Sequence, residues 1–241
     1  MWLEFAQRNR YKLLLAALMS SFIVVPTIFE VANLYETKSS QWFVFGISAV
    51  LLMFATFAVS DSRHIKRIAV FLMLICLFIE VLSTLYATSK EVAIVHHSLR
   101  VLFFGYIIME ILRSLFRPNV VTFDTISASL CVYLLIGALW AHFYSLCEIV
   151  VPGSVAVHDR MEGLVNIKNN DMTISFRMLY FSLLTLSTVG YGDVVPLSPM
   201  TRMLAVSEAI IGQIYLLVMV SRLVGLQISQ ALSTPQSKQD G

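Results

Sequence analysis

Long apolar runs, separated by short charged breaks, fill most of the chain. A helix needs about 20 apolar residues to cross the hydrocarbon of a bilayer, and six stretches reach that length: about 12–33, 41–60, 66–88, 92–116, 124–149 and 198–229. A seventh, from about Thr173 to Leu186, is too short to span. It is expected to be re-entrant and wrapped in protein, because irregular backbone at membrane depth cannot face lipid. The pattern predicts an all-α membrane protein with six transmembrane helices and one re-entrant helix followed by a loop.

Polar positions orient these elements. Arg8, Arg10 and Lys12 precede the first run, Arg63, Lys66 and Arg67 join the second to the third, and Arg113 and Arg117 close the fourth. The alternate short loops carry only Lys38 and Lys90. That asymmetry predicts that both termini are cytoplasmic, in a cell (inner) membrane. Segment 150–172, with Arg160 and Lys168, then lies outside. The run from Leu13 to Phe29 imitates a secretory signal, but it is long, contains Pro26 and lacks a small-residue cleavage site, so an uncleaved first helix is expected.

Proline disfavours helix at the residue before it. Arg117-Pro118-Asn119 is therefore the expected internal boundary, with Thr122 or Asp124 capping the helix that follows. The expected units are a four-helix front domain over 1–118, a second unit over 119–231 and a short cytoplasmic tail over 232–241.

Composition narrows the class. Of 241 residues, 58% are hydrophobic and 13% charged, against about 25% charged in soluble domains. The net charge of +2, without a basic run or aromatic-interleaved patch, excludes nucleic acid as a partner. Cys76, Cys131 and Cys147 sit in apolar stretches at no metal spacing and read as buried small hydrophobes. There is no HExxH pair, nucleophile elbow or Walker loop, so no enzyme, and no small-molecule substrate, is expected.

Candidate chemistry concentrates after the re-entrant helix. Residues 185–193 read Thr-Leu-Ser-Thr-Val-Gly-Tyr-Gly-Asp. Gly190 and Gly192 permit backbone angles that bring successive carbonyls to one side. With Thr185, Pro196, Arg202 and Gly212, the run Thr188 to Asp193 matches the pore pattern of bacterial potassium channels, and residues 122–230 resemble their pore module. The whole chain is similar to six-helix members with little cytoplasmic domain.

The resemblance implies a homotetrameric pore in a lipid bilayer, with four loops around one axis. Backbone carbonyls of Thr188, Val189, Gly190 and Tyr191 then replace the hydration shell of K+, the permeant ion. Thr188 adds a hydroxyl at the cytoplasmic end, and Gly192 completes the selectivity filter. Tyr191 faces away and holds the ring open from behind. The C-terminus of the pore helix, capped at its start by Asp171 or Thr173, favours a cation in the membrane interior. Tyr180 and Phe181 read either as an aromatic cuff around the filter or as ordinary pore-helix core. Asp193 at the outer mouth reads as a cation-concentrating ring that ties filter to pore helix, or as a solvated loop residue. Leu184 stands where some relatives carry a glutamate that pairs with the filter aspartate.

Gly212 lies at the position of the family's gating glycine, and inside a helix it suggests a bend or close packing. Leu216, Val220, Val224 and Ile228 recur at helical spacing below it, either as an apolar gate facing the axis or as packing against the fifth helix. Gly225 reads as a packing contact.

The fourth helix carries Arg100 and then nothing basic until Arg113 and Arg117. One charge crossing 100 mV is worth ~2.3 kcal/mol, so four such arginines give at most roughly 9 kcal/mol, and strong voltage gating is not expected. Glu80 and Arg100 reach similar depth at ~1.5 Å per residue, which predicts an interhelical ion pair. Glu30 reads as near the outer surface and Glu110 as a neighbour of Arg113. Glu208 remains open between a protonated packing residue, a hydrogen-bond partner of the pore helix and a proton-sensitive element. His96 and His97 read as pH reporters or plain interface residues.

The expected function is passive, potassium-selective conduction. Its rivals are a non-selective cation channel and a membrane subunit of a potassium-uptake transporter. The gating stimulus is not legible.

Overall fold

The structure, a computed structural model, describes residues 9–24, 26–27, 38–59, 62–85, 89–116, 122–157 and 171–233. The expected break at Arg117-Pro118-Asn119, Glu30, Arg160, Lys168 and the tail from residue 234 lie outside the described residues, as do the side chains of Asp171 and Thr173.

In chain order the helices are α1 (Arg10–Met19), α2 (Lys38–Ala58), α3 (Arg63–Leu85), α4 (Lys90–Leu115), α5 (Phe123–Val150), α6 (Asp171–Leu186) and α7 (Pro199–Ser233). Four of them, α3, α4, α5 and most of α7, are long and apolar enough to cross a membrane. Shorter apolar helical stretches are Phe45–Ala58 within α2 and Phe176–Leu186 within α6. The chain is thus a mostly helical membrane protein.

Two local features go beyond the expected pattern. The first run, expected as a helix over about 12–33, is α-helical over Arg10–Met19, π-helical over Ser20–Val24 and α-helical again at residues 26–27. Ser21 donates its hydroxyl to the Leu18 carbonyl at 2.8 Å, and Pro26 has no N–H to return to the turn before it, so the regular ladder gives way there. The fold is also not purely helical. Val155–Val157 (β1) pairs antiparallel with Val194–Pro196 (β2), placing Val155 opposite Pro196 and Val157 opposite Val194.

α5 is the hub. Within its most apolar window 56% of residues are buried inside the chain, against 17% for α7, so α5 is surrounded by protein while α7 leaves most of its surface uncovered. Thr122 caps α5 through a reciprocal capping box with Thr125, and Ser89 caps α4 by accepting from the Val92 N–H. α1 lies against α5 and α4: Cys131 donates its thiol to the Tyr11 carbonyl at 3.3 Å, and the Tyr11 hydroxyl donates to Ser114 Oγ at 3.4 Å. Cys76, Cys131 and Cys147 are all buried and unpaired.

Candidate pore loop and its supports

The site begins where α6 ends. Val189 N–H donates to the Leu184 carbonyl and Thr188 N–H to the Thr185 carbonyl, both at 3.0 Å. Together with a positive φ of 58° at Thr188 this is a Schellman cap. Glycine normally occupies that left-handed position, and a non-glycine residue there carries strain of about 1–3 kcal/mol that its surroundings must hold.

The left-handed angles then alternate. Thr188 has φ 58°, Gly190 φ 51° and Gly192 φ 80°, with Val189 and Tyr191 between them on the ordinary side. Alternating the sign of φ flips every second peptide, which turns successive carbonyls towards one side of the strand. A β-carbon at Gly190 or Gly192 would meet nothing within 4 Å, so the glycines serve the backbone angle rather than the space around it. Val189 and Tyr191 are 51% and 74% exposed, so within one chain nothing covers this loop.

Both ends of the loop are fastened. At its base the Tyr133 hydroxyl of α5 donates to the Leu186 carbonyl at 3.2 Å. Gly212 of α7 presses on the same group, since a β-carbon there would lie 2.7 Å from the Leu186 oxygen. Gly137 of α5 likewise lets α6 approach: its β-carbon would fall 2.7 Å from Leu183 Cδ2. At the outer end the Tyr180 hydroxyl donates to Asp193 Oδ2 at 2.7 Å, while Asp193 Oδ1 is buried with no partner among the described residues. Beyond Asp193, β2 pairs with β1, and Leu197 N–H donates to the Ser154 carbonyl at 2.8 Å. Glu148 at the end of α5 receives Gly153 N–H at 2.7 Å and Val155 N–H at 3.1 Å, which holds β1 in place.

The remaining expected residues fall as follows. Phe181 is buried, its ring edge-on to Tyr144 of α5 with centroids 4.8 Å apart, and Thr185 returns its hydroxyl to the Phe181 carbonyl at 2.8 Å. α7 runs unbroken through Gly212, which is buried in close packing on Leu186. Leu216, Val220, Val224 and Ile228 are all exposed in the single chain rather than packed on α5. A β-carbon at Gly225 would have open space, so no packing contact forms there among the described residues.

In the front domain, Arg100 Nη2 lies 2.7 Å from Glu80 Oε2. Ser48 of α2 donates to the same carboxylate oxygen at 2.9 Å, so α2, α3 and α4 meet at one polar point, and both charged side chains are only 9% exposed. Removing one partner of a buried pair costs about 3–5 kcal/mol, so the pair ties α3 to α4. Glu110 pairs with Arg113 one turn on. His97 Nδ1 lies 2.9 Å from His142 Nδ1 of α5, and His96 stacks on His97.

Sequence reasoning missed Tyr133, Tyr144 and Ser182, which support the loop, and also Gln213. The first three act through partners 26 to 64 positions distant. Gln213 had a signal, a lone amide among apolar neighbours, and it lies exposed on the side of α7 turned away from buried Tyr215 and Met219.

Residues 128–227, less than half of the chain, match the family model described as "Ion channel". The match spans α6, the loop and most of α5 and α7, and it supports an ion channel rather than an enzyme. No curated protein and no solved structure matches the chain.

Proposed function

We propose that four copies of this chain assemble around the 188–192 loops to form a potassium-selective channel that conducts passively. The observation that carries this reading is the alternation of left-handed angles at Thr188, Gly190 and Gly192. Carbonyls turned to one side, four to a level, can replace the water of a monovalent cation. One chain supplies a single such row, and its loop and α7 are uncovered, so the site is incomplete without partner copies.

In this arrangement Gln213 faces the water-filled cavity just below the filter, and Leu216, Val220, Val224 and Ile228, further along α7, form the apolar gate. The lone amide at Gln213 then faces water rather than lipid. Asp193 forms the acidic ring at the mouth, held by Tyr180. The chain lies in the inner membrane with both termini cytoplasmic and divides into a front domain over 1–118, a pore domain over 119–231 and the tail.

The test is flux from liposomes carrying purified protein. Potassium efflux at least a hundredfold faster than sodium efflux is expected, with block by barium and a shallow current–voltage relation, because one fixed arginine per subunit supplies little gating charge. Equal sodium permeability would overturn the selectivity reading in favour of a non-selective cation channel.

A further inference from the structure

α7 carries Glu208 one turn before Gly212, at the level where α6 passes behind the loop. Its side chain is fully buried, as are those of Ser182 on α6 and Tyr144 on α5. Tyr144 hydroxyl lies 2.6 Å from Glu208 Oε2, and Ser182 Oγ lies within hydrogen-bonding reach of Glu208 Oε1. Ser182 Oγ is also 2.7 Å from the carbonyl oxygen of Gly137 on α5.

These are three oxygen–oxygen contacts, and each needs one hydrogen. The Tyr144 hydroxyl brings one, the Ser182 hydroxyl brings one, and the Gly137 carbonyl brings none. If Glu208 were a carboxylate, only two hydrogens would serve three contacts, and one close oxygen pair would repel. A neutral acid supplies the third. Charge balance leads to the same place: the partners of the two Glu208 oxygens are the neutral hydroxyls of Tyr144 and Ser182, whereas Arg100 pairs with Glu80 and Arg113 with Glu110. A buried charge without a partner is strongly disfavoured at membrane depth.

We infer that Glu208 is a protonated carboxylic acid that donates its hydrogen to Ser182 and so positions the pore helix, and the filter that follows it, between α5 and α7. In the resulting chain, Glu208 donates to Ser182, Ser182 donates to the Gly137 carbonyl, and Tyr144 donates to the other oxygen of Glu208. Ser182 stands six residues before Thr188 on a continuous helix end, so fixing Ser182 fixes the base of the filter. The role as a filter-positioning residue rests on the channel reading above; the protonation state does not.

Infrared difference spectra of the purified protein in bilayers at neutral pH, against Glu208→Gln, separate the two. The wild type is expected to show a protonated-carboxyl carbonyl band, sensitive to deuteration, that Glu208→Gln lacks. Ser182→Ala, which removes its acceptor, is expected to shift that band. The amide of Glu208→Gln can donate to Ser182 and accept from Tyr144, so its potassium flux should stay within about threefold of wild type. Absence of the band in the wild type, or failure of Glu208→Gln to assemble or conduct, would overturn the inference. Loss of potassium preference in the wild type would instead refute the channel reading and leave the protonation state standing.

Discussion

Replacing Gly192 by alanine should abolish selective potassium flux while leaving the helical assembly intact. Gly192 sits at φ 80°, and a β-carbon there would touch nothing within 4 Å of its own chain, so within the chain the substitution acts through backbone angle. Placing an L side chain in the left-handed region costs about 1–2 kcal/mol per residue. In the proposed tetramer four copies bring the total to roughly 4–8 kcal/mol, enough to tip the loop out of its alternating conformation. Gly153 is the matched control, because it has the same φ of 80° and the same open surroundings but lies in the turn after α5. Gly153→Ala should carry similar strain and keep selective flux. Liposome flux beside size-exclusion profiles of both variants decides the matter, and equal effects would show that strain anywhere in the outer loops suffices.

Gly212→Ala should lower the thermal stability of the assembly and its flux together. The new β-carbon would lie 2.7 Å from the Leu186 oxygen and 2.8 Å from Leu186 Cδ1. A backbone carbonyl at the base of the 188–192 loop cannot swing aside as a flexible side-chain tip can. Overpacking of this kind costs about 1–3 kcal/mol per site. A hinge role predicts the opposite sign for stability, since alanine in a helix interior is favoured over glycine by up to ~1 kcal/mol. Differential scanning of detergent-solubilised protein separates the two: a lower unfolding temperature supports close packing, and an unchanged or higher one supports a hinge.

Much of the scaffold was legible because hydropathy and length act locally. α3, α4, α5 and α7 could be placed within about three residues at most ends, since each apolar run is bounded by charge, proline or a capping hydroxyl. The short ladder of β1 and β2 was not legible, because three residues carry no usable period and their pairing spans the whole pore loop. The loop itself was legible from Thr188 to Gly192 as a motif, but its junction with α6 was not. A Schellman cap is ordinarily announced by glycine, and here Thr188 takes that place. Glu208 could be singled out as a costly buried acid, yet its state depends on Ser182 and Tyr144, 26 and 64 positions away. Gly212 carried two readings in the sequence, and the packing on Leu186 is a contact that only the fold creates.

Anomalous scattering from rubidium in crystals of the purified protein would test the coordination of a bare cation by peptide oxygens most directly. The account predicts a row of rubidium peaks on a fourfold axis, between the carbonyl levels of Thr188 to Tyr191, that competes with potassium and not with sodium. Loops 188–192 without a shared axis, or with an axis empty of rubidium, would contradict it.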